Sequence, residues 1–151
     1  MTDDTMTAIA TAMRAGDRQR LLELWDRIGV AGDPLHRCTL AHYLADVHDE
    51  AAESLAWDIR ALDAADTLTD ERAQRHDGAL RVRGFYPSLH LNLADDYRRL
   101  GAFGPARRHL DAARERVADL PDGDYGELIR AGIEHVATAL ADGSTERLPT
   151  H

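Results

Sequence analysis

Apolar residues recur every three or four positions along most of the chain, which is the period of an amphipathic α-helix. Two such stripes open the sequence. Gly16 is expected to end the first, and the second is capped by Asp17 and stopped by Gly32. The apolar positions of these two stripes are Ile9, Ala10, Met13, Leu21, Leu22, Leu24, Trp25 and Ile28. The pattern predicts a short first helix and a second helix with a broad apolar face.

Two further helices are predicted in the first half of the chain. Asp33 followed by Pro34 is a strong start signal, because a capping carboxylate precedes a proline suited to the first turn. This third helix is expected to run to about Val47, with Leu40, Tyr43, Leu44 and Val47 on its buried side. A fourth helix is expected between a cap at Asp49 and an end near Asp66. Its apolar residues repeat at three and four positions, and they are Ala52, Leu55, Ala56, Ile59 and Leu62.

The segment 67–84 is polar and harder to interpret. An additional helix from Asp70 to about Val82, broken near Gly84 and Pro87, is the favoured interpretation, and a loop is the alternative. A last helix is expected from about Tyr125, after the turn cluster at 121–124. Its inward residues are predicted to be Leu128, Ile129, Gly132, Ile133, Val136, Ala137 and Leu140. Strands are not predicted anywhere.

The clearest local signal is a helix-turn-helix hairpin between Phe85 and Ala113. Two antiparallel helices approach closely when small side chains lie at the crossing and large ones fill the space beside it. Here the small residues are Ala94, Ala106 and Ala113, and the large ones are Leu93, Tyr97 and Leu110. Gly101 supplies the turn between the helices, since glycine readily adopts the left-handed conformation that ends a helix. Pro105 suits the first turn of the second helix.

The same hairpin resembles a tetratricopeptide repeat, with Leu93, Ala94, Tyr97, Gly101, Phe103, Ala106, Leu110 and Ala113 at the expected places. Trp25-Asp26 and Trp57-Asp58, about one repeat apart, are a weaker sign of an internal repeat. The resemblance implies an all-α array of antiparallel helix pairs with about seven to eight helices. A single domain is expected over residues 1–142. The tail 143–151 is predicted to be disordered.

In such a fold, the resemblance places partner binding on the concave surface lined by the first helix of each pair. The residues implied are Thr39, His42, Asp46, Ser88, Asn92, Asp95 and Arg99. Asn92 and Arg99 are suited to holding a peptide backbone or a carboxylate, while Asp46 and Asp95 favour a basic partner. The alternative is that both sets form solvated polar helix faces. The chain also has none of the lysines that the family's carboxylate clamp uses.

Composition excludes several classes of function. The chain has 18 basic and 27 acidic residues, a net charge of −9, which makes nucleic acids and anionic membranes poor partners. All of the basic residues are arginine, so chemistry that needs a phosphate-loop or Schiff-base lysine is excluded. Arginine in place of lysine is typical of a GC-rich, bacterial genome. Paired arginines such as Arg98 and Arg99 are interleaved with acidic residues and are expected to pair with them.

The location expected from the sequence is cytoplasmic. Cys38 is the single cysteine, so an internal disulfide is impossible and a reducing compartment is expected. Neither a signal peptide nor a membrane-spanning segment is predicted.

Catalysis and cofactors are not expected. The serines lack a nucleophile-elbow motif, and no glycine-rich loop follows a predicted strand. His90 and His109 are expected at helix interfaces or on the surface. The favoured function is therefore a non-catalytic adaptor that binds a protein or peptide in a concave groove. One alternative is a homodimer formed through exposed Trp25 or Trp57. Another is a small-molecule or metal site near Cys38 and His42, which have the i, i+4 spacing of two ligands on one helix.

Overall fold

A computed structural model describes residues 3–78 and 80–149. Within these residues the chain is all-helical, with eight α-helices, two short 3-10 helices and no strand. The α-helices are α1 (Asp4–Ala15), α2 (Arg18–Ile28), α3 (Pro34–Asp46), α4 (Ala51–Thr67), α5 (Asp70–His76), α6 (Tyr86–Arg99), α7 (Phe103–Glu115) and α8 (Asp124–Ala141). The 3-10 helices are Val82–Phe85 and Val117–Asp119. The predicted all-α class and helix number are confirmed for this part of the chain, and the solenoid arrangement stays a prediction.

Several predicted helix boundaries are confirmed by their capping geometry. The Asp17 carboxylate accepts a hydrogen bond from the Arg20 N–H at 3.0 Å, and Asp33 accepts one from the Leu35 N–H at 2.9 Å. Both bonds satisfy N–H groups that have no partner within the helix. Gly101 turns the chain between α6 and α7 with a φ of 77°, in the left-handed region that glycine tolerates best.

Two predicted boundaries are wrong by a few residues. The second helix ends at Ile28, where Gly29 adopts a φ of 76° and donates to the Trp25 carbonyl, so it stops before Gly32. The fourth helix begins at Ala51 with Glu50 at the cap position, which makes no side-chain cap bond. Asp49 is therefore not the cap.

The segment 67–84 contains a helix that is shorter than predicted. α5 spans Asp70–His76 and does not continue to Val82. Asp70 instead accepts a hydrogen bond from the Val82 N–H at 2.8 Å, which folds the following chain back to the start of α5. Residue 79 of the predicted helix lies outside the described residues.

The chain divides into two compact units, Met1–Val82 and Arg83–His151. The single domain expected over 1–142 stays a prediction, and residues 1, 2 and 79 of that range are outside the described part. No helix within residues 3–78 and 80–149 combines the length and the apolar character needed to cross a bilayer.

In the first unit, α3 and α4 form the most extensive helix pair, and α1 and α2 pack against each other and against α3. The buried face of α4 includes the small residues Ala61, Ala64 and Ala65, which allow α3 and α4 to approach closely. The fully buried residues of this pair include Leu35, Leu40, Ala41, Leu44, Ala61 and Ala64.

In the second unit, α6, α7 and α8 pack against one another around an apolar cluster. Ala94, Ala106 and Ala113 are all 0% exposed, which confirms the small residues predicted for the hairpin. Leu128 was predicted to face inward, but it is 49% exposed. It precedes the buried Ile129 by one residue, a rotation of about 100° around the helix, so both cannot face the same core.

Candidate functional site

The apolar stripe predicted on the fourth helix lies largely at the surface. α4 packs on α3 through the neighbouring side of the helix, where Ser54, Trp57, Asp58, Ala61, Ala64 and Ala65 are buried. This orientation leaves Ile59 46% exposed. Ala52 and Ala56 are also exposed, and Leu55 and Leu62 are half-buried. These five residues, Ala52, Leu55, Ala56, Ile59 and Leu62, are called the α4 stripe below.

Trp57 accounts for this orientation. Its ring packs edge-on against Trp25, with the ring centroids 5.0 Å apart at an interplanar angle of 89°. The His48 ring lies 6.2 Å away on a nearly parallel plane, and the Arg60 guanidinium lies 4.4 Å from the Trp57 ring centroid. A tryptophan removes more apolar area from water than a leucine does, so α4 buries Trp57 and leaves the α4 stripe outward.

The ends of the α4 stripe are acidic. Glu50 and Glu53 lie at its N-terminal end, and Asp63 and Asp66 lie at its C-terminal end, all four exposed. The last turn of α4 contains no basic residue. Because a helix C-terminus carries a partial negative charge, Asp63 and Asp66 add to a field that already attracts cations. The surface therefore combines exposed apolar groups with acidic residues at both ends.

The predicted groove residues are divided between the two units. On α3, Thr39 and His42 are half-buried and Asp46 is exposed. On α6, Ser88 is buried, and its hydroxyl donates to the Phe85 carbonyl at 3.2 Å. Asp95, Asn92 and Arg99 are half-buried on the same helix. A groove formed by all seven residues stays a prediction.

Arg98 on α6 is a functional candidate that sequence reasoning missed. Its side chain is 0% exposed, and its Nε and Nη2 atoms donate to one Asp95 carboxylate oxygen at 3.0 and 2.8 Å. Nη1 donates to the Ser144 carbonyl at 2.7 Å, and Nη2 donates to the Glu146 carbonyl at 2.8 Å. The sequence did carry a signal, because Arg98 follows the buried residue Ala94 by four positions and so lies on the same helix face.

A polar network in the first unit joins the start of α1 to α3 and α5. His36 Nε2 lies 2.9 Å from an Asp3 carboxylate oxygen, and Arg72 contacts Asp33 at 2.6 Å and Asp3 at 3.3 Å. Burial by itself would raise the pKa of Asp3, but hydrogen bonds from His36, the Met6 N–H and Arg72 outweigh it and lower this pKa to about 2. The same opposition lowers the pKa of Asp33, where Arg72 is the main partner.

This network predicts a loss of stability in acid. The folded state lowers the pKa of Asp3 from 3.8 to about 2, so its contribution is present above about pH 4 and disappears as the pH falls towards 2. The expected loss from Asp3 is about 2 kcal/mol in the free energy of unfolding. Urea titrations between pH 5 and 2, followed by tryptophan fluorescence, measure it because Trp25 and Trp57 both lie in this unit.

The Asp3→Asn variant should lose that part of the pH dependence, since asparagine keeps the helix cap but does not titrate in this range. Asp4→Asn, which changes an exposed neighbour, is the matched control and should behave like the wild type. A pH dependence that survives in Asp3→Asn would contradict the role assigned to Asp3.

His90 and His109 lie at the interface between α6 and α7, as expected. Their Nδ1 atoms are 3.1 Å apart, so one ring donates a hydrogen bond and the other accepts it. Burial, aided by the nearby Arg108, holds the pKa of His109 below its usual value. Tyr97 packs against His109 with the rings nearly parallel and 5.5 Å apart. The hydrogen bond between His90 and His109 therefore helps to join the two helices.

Cys38, the centre of the metal or small-molecule alternative, lies inside the first unit. It is 5% exposed, and burial raises the pKa of its thiol to about 12. The thiolate is the form that binds metals and attacks electrophiles, and it is strongly disfavoured here. Among the described residues, no three His, Cys, Asp or Glu side chains are grouped so that they could hold a metal ion.

Comparison of the chain with protein-family models, curated proteins and solved structures gave no match. The tetratricopeptide-like assignment accordingly stays a prediction. The α4 stripe and the surroundings of Arg98 are the most distinctive surfaces among the described residues.

Proposed function

We propose that the protein is a non-catalytic binding module whose α4 stripe takes an amphipathic helix with basic flanks from a partner protein. The observation that carries the proposal is the exposure of Ile59 at the centre of an apolar stripe with acidic ends. Contiguous exposed apolar residues with a polar border are typical of protein-binding surfaces.

The shape of the stripe suits a helical partner. Ala52 and Ala56 are small, so a second helix can approach α4 closely beside them. Leu55, Ile59 and Leu62 follow at helical spacing and are suited to pack between apolar residues at positions i, i+3, i+4 and i+7 of the partner. Each square ångström of apolar surface buried in this way contributes roughly 25 cal/mol before the costs of association.

Charge decides between a basic partner and a second copy of this chain. The acidic residues at both ends of the stripe and the net charge of −9 repel another acidic chain and attract a basic one. The homodimer alternative also invoked Trp57, which is only 8% exposed and packs against Trp25. A basic partner is therefore the better fit.

The test uses helical peptides and the full chain. Peptides with one fixed apolar face and randomised flanking positions are selected for binding to the wild type, and the enriched sequences are measured by fluorescence anisotropy. Enriched flanks should be rich in lysine and arginine. Ile59→Asp should weaken binding at least tenfold, because it places a carboxylate at the centre of the apolar contact, and higher salt should weaken binding to the wild type.

Val30→Asp is the matched control, since Val30 is 82% exposed and lies outside α4. It should bind the selected peptides as the wild type does. Equal binding of the peptides to Ile59→Asp and the wild type would show that the binding site is elsewhere. Enrichment of acidic flanks would contradict the proposal that the partner helix has basic flanks. Sedimentation over a dilution series tests self-association, and a dimer abolished by Ile59→Asp would favour the homodimer.

A further inference from the structure

The end of the chain folds back onto the second unit in a way that resembles a bound peptide. After α8 the chain reverses at Gly143, which has a φ of 65° and donates to the Leu140 carbonyl. Ser144 donates to the Ala139 carbonyl at 2.9 Å, and the chain then continues without helical structure. Residues 143–148 are called the strap below. This segment belongs to the tail predicted to be disordered, of which residues 150 and 151 lie outside the described part.

α6 holds the strap by its main chain. The two terminal nitrogens of Arg98 donate to the carbonyls of Ser144 and Glu146, which are two residues apart. Every peptide has such carbonyls, so this contact recognises backbone and not a particular side chain. Asp95 fixes the guanidinium from the other side and balances its charge.

One strap side chain serves as an apolar anchor. Leu148 packs against the α6–α8 core cluster, which contains Leu91, Ile133 and Val136. Thr145, Glu146 and Arg147 are exposed. The strap therefore uses main-chain hydrogen bonds and one anchored apolar residue, the two devices by which peptides commonly bind to domains.

We propose that the surface around Arg98 is a second binding site, which takes a short non-helical peptide, and that the strap occupies it as a tethered competitor. The peptide presents two carbonyls at positions i and i+2 to Arg98 and an apolar side chain at position i+4. The strap shows this spacing in Ser144, Glu146 and Leu148.

The chemistry of Arg98 favours exchange of one segment for another. A buried guanidinium with unsatisfied N–H groups is destabilising, so the site needs acceptors at all times. A competing peptide replaces the carbonyls as the strap leaves. A flexible tether gives the strap an effective concentration in the millimolar range, so a free peptide binds well only when the strap is weakened.

The experiment weakens the contact of the strap with the full chain and adds a free peptide that has the strap sequence. The probe is a fluorescently labelled peptide of sequence DGSTERLP, which corresponds to residues 142–149. Leu148→Asp removes the anchor of the tethered strap. Anisotropy titrations should show the probe binding this variant at least tenfold more tightly than the wild type. A probe with aspartate in place of its leucine should bind neither protein.

Thr145→Asp is the matched control, because it adds the same charge at an exposed strap position and should behave like the wild type. Ile59→Asp should leave probe binding unchanged. The proposal of a site around Arg98 and the proposal of a site on the α4 stripe can therefore be contradicted independently. Equally weak binding to all variants, with Leu148→Asp still helical and cooperatively folded, overturns the proposal. If Leu148→Asp does not fold, Leu148→Ala takes its place, and failure of both to fold overturns the proposal by making the strap a structural part of the core.

Discussion

Replacement of Arg98 by alanine is expected to reduce the free energy of unfolding of the second unit by about 3 to 5 kcal/mol. The side chain is 0% exposed and donates to Asp95 and to the Ser144 and Glu146 carbonyls. Its removal leaves a carboxylate and two carbonyls without a donor and opens a cavity against α6. Loss of one partner from a buried charged group is among the most destabilising single changes, because the remaining partner stays buried without compensation.

Hydrogen exchange read by mass spectrometry measures this effect unit by unit. Peptides from residues 83–149 should exchange much faster in Arg98→Ala than in the wild type. Arg107→Ala is the matched control, because Arg107 is exposed on the adjacent helix and its loss should change stability by less than about 0.5 kcal/mol. Exchange in Arg98→Ala as slow as in Arg107→Ala would show that Arg98 does not hold the strap and the core together.

Replacement of Trp57 by alanine is expected to destabilise the first unit by about 3 to 5 kcal/mol. Trp57 is 8% exposed. The substitution removes its edge-on contact with Trp25 and its stacking with His48. The cavity is large, and the small residues around it, such as Ala61, have no side chain long enough to fill it. The unit should therefore lose a large share of its total stability.

Urea unfolding followed by the fluorescence of the remaining Trp25 measures the change. Ile59→Ala, two residues further along α4, is the matched control for helix position, since it removes an apolar side chain that is 46% exposed. It should lower stability by less than about 1 kcal/mol while weakening the binding assigned to the α4 stripe. Similar destabilisation by both variants would mean that α4 does not use its two sides in the way described.

Local chemistry made several features of the fold predictable. Asp17 and Asp33 mark helix starts because a short acidic side chain can reach the first free N–H groups. Gly101 marks a helix end because a left-handed backbone strains other residues. The hairpin from Phe85 to Ala113 was predictable because close helix packing needs small residues at fixed spacing, here Ala94 and Ala106.

The candidate surfaces were less accessible to sequence reasoning. The α4 stripe was visible as a periodic set of apolar residues, but periodicity does not say whether such a set is buried. Sequence spacing indicates only that Arg98 can pair with neighbouring acidic residues, and its ion pair with Asp95 is present. Its two other acceptors come from residues more than forty positions away, which local spacing cannot reveal.

The sequence by itself determined most helix starts and ends to within a few residues, because caps, turns and periodicity act over short stretches of chain. Tertiary structure alone decided which face α4 buries and that α6 buries an arginine. α4 turns inward the face that lets Trp57 meet Trp25, and α6 buries Arg98 because the returning strap brings carbonyls to it. Burial depends on which distant side chains and backbone groups can satisfy one another, and that becomes defined only when the helices pack.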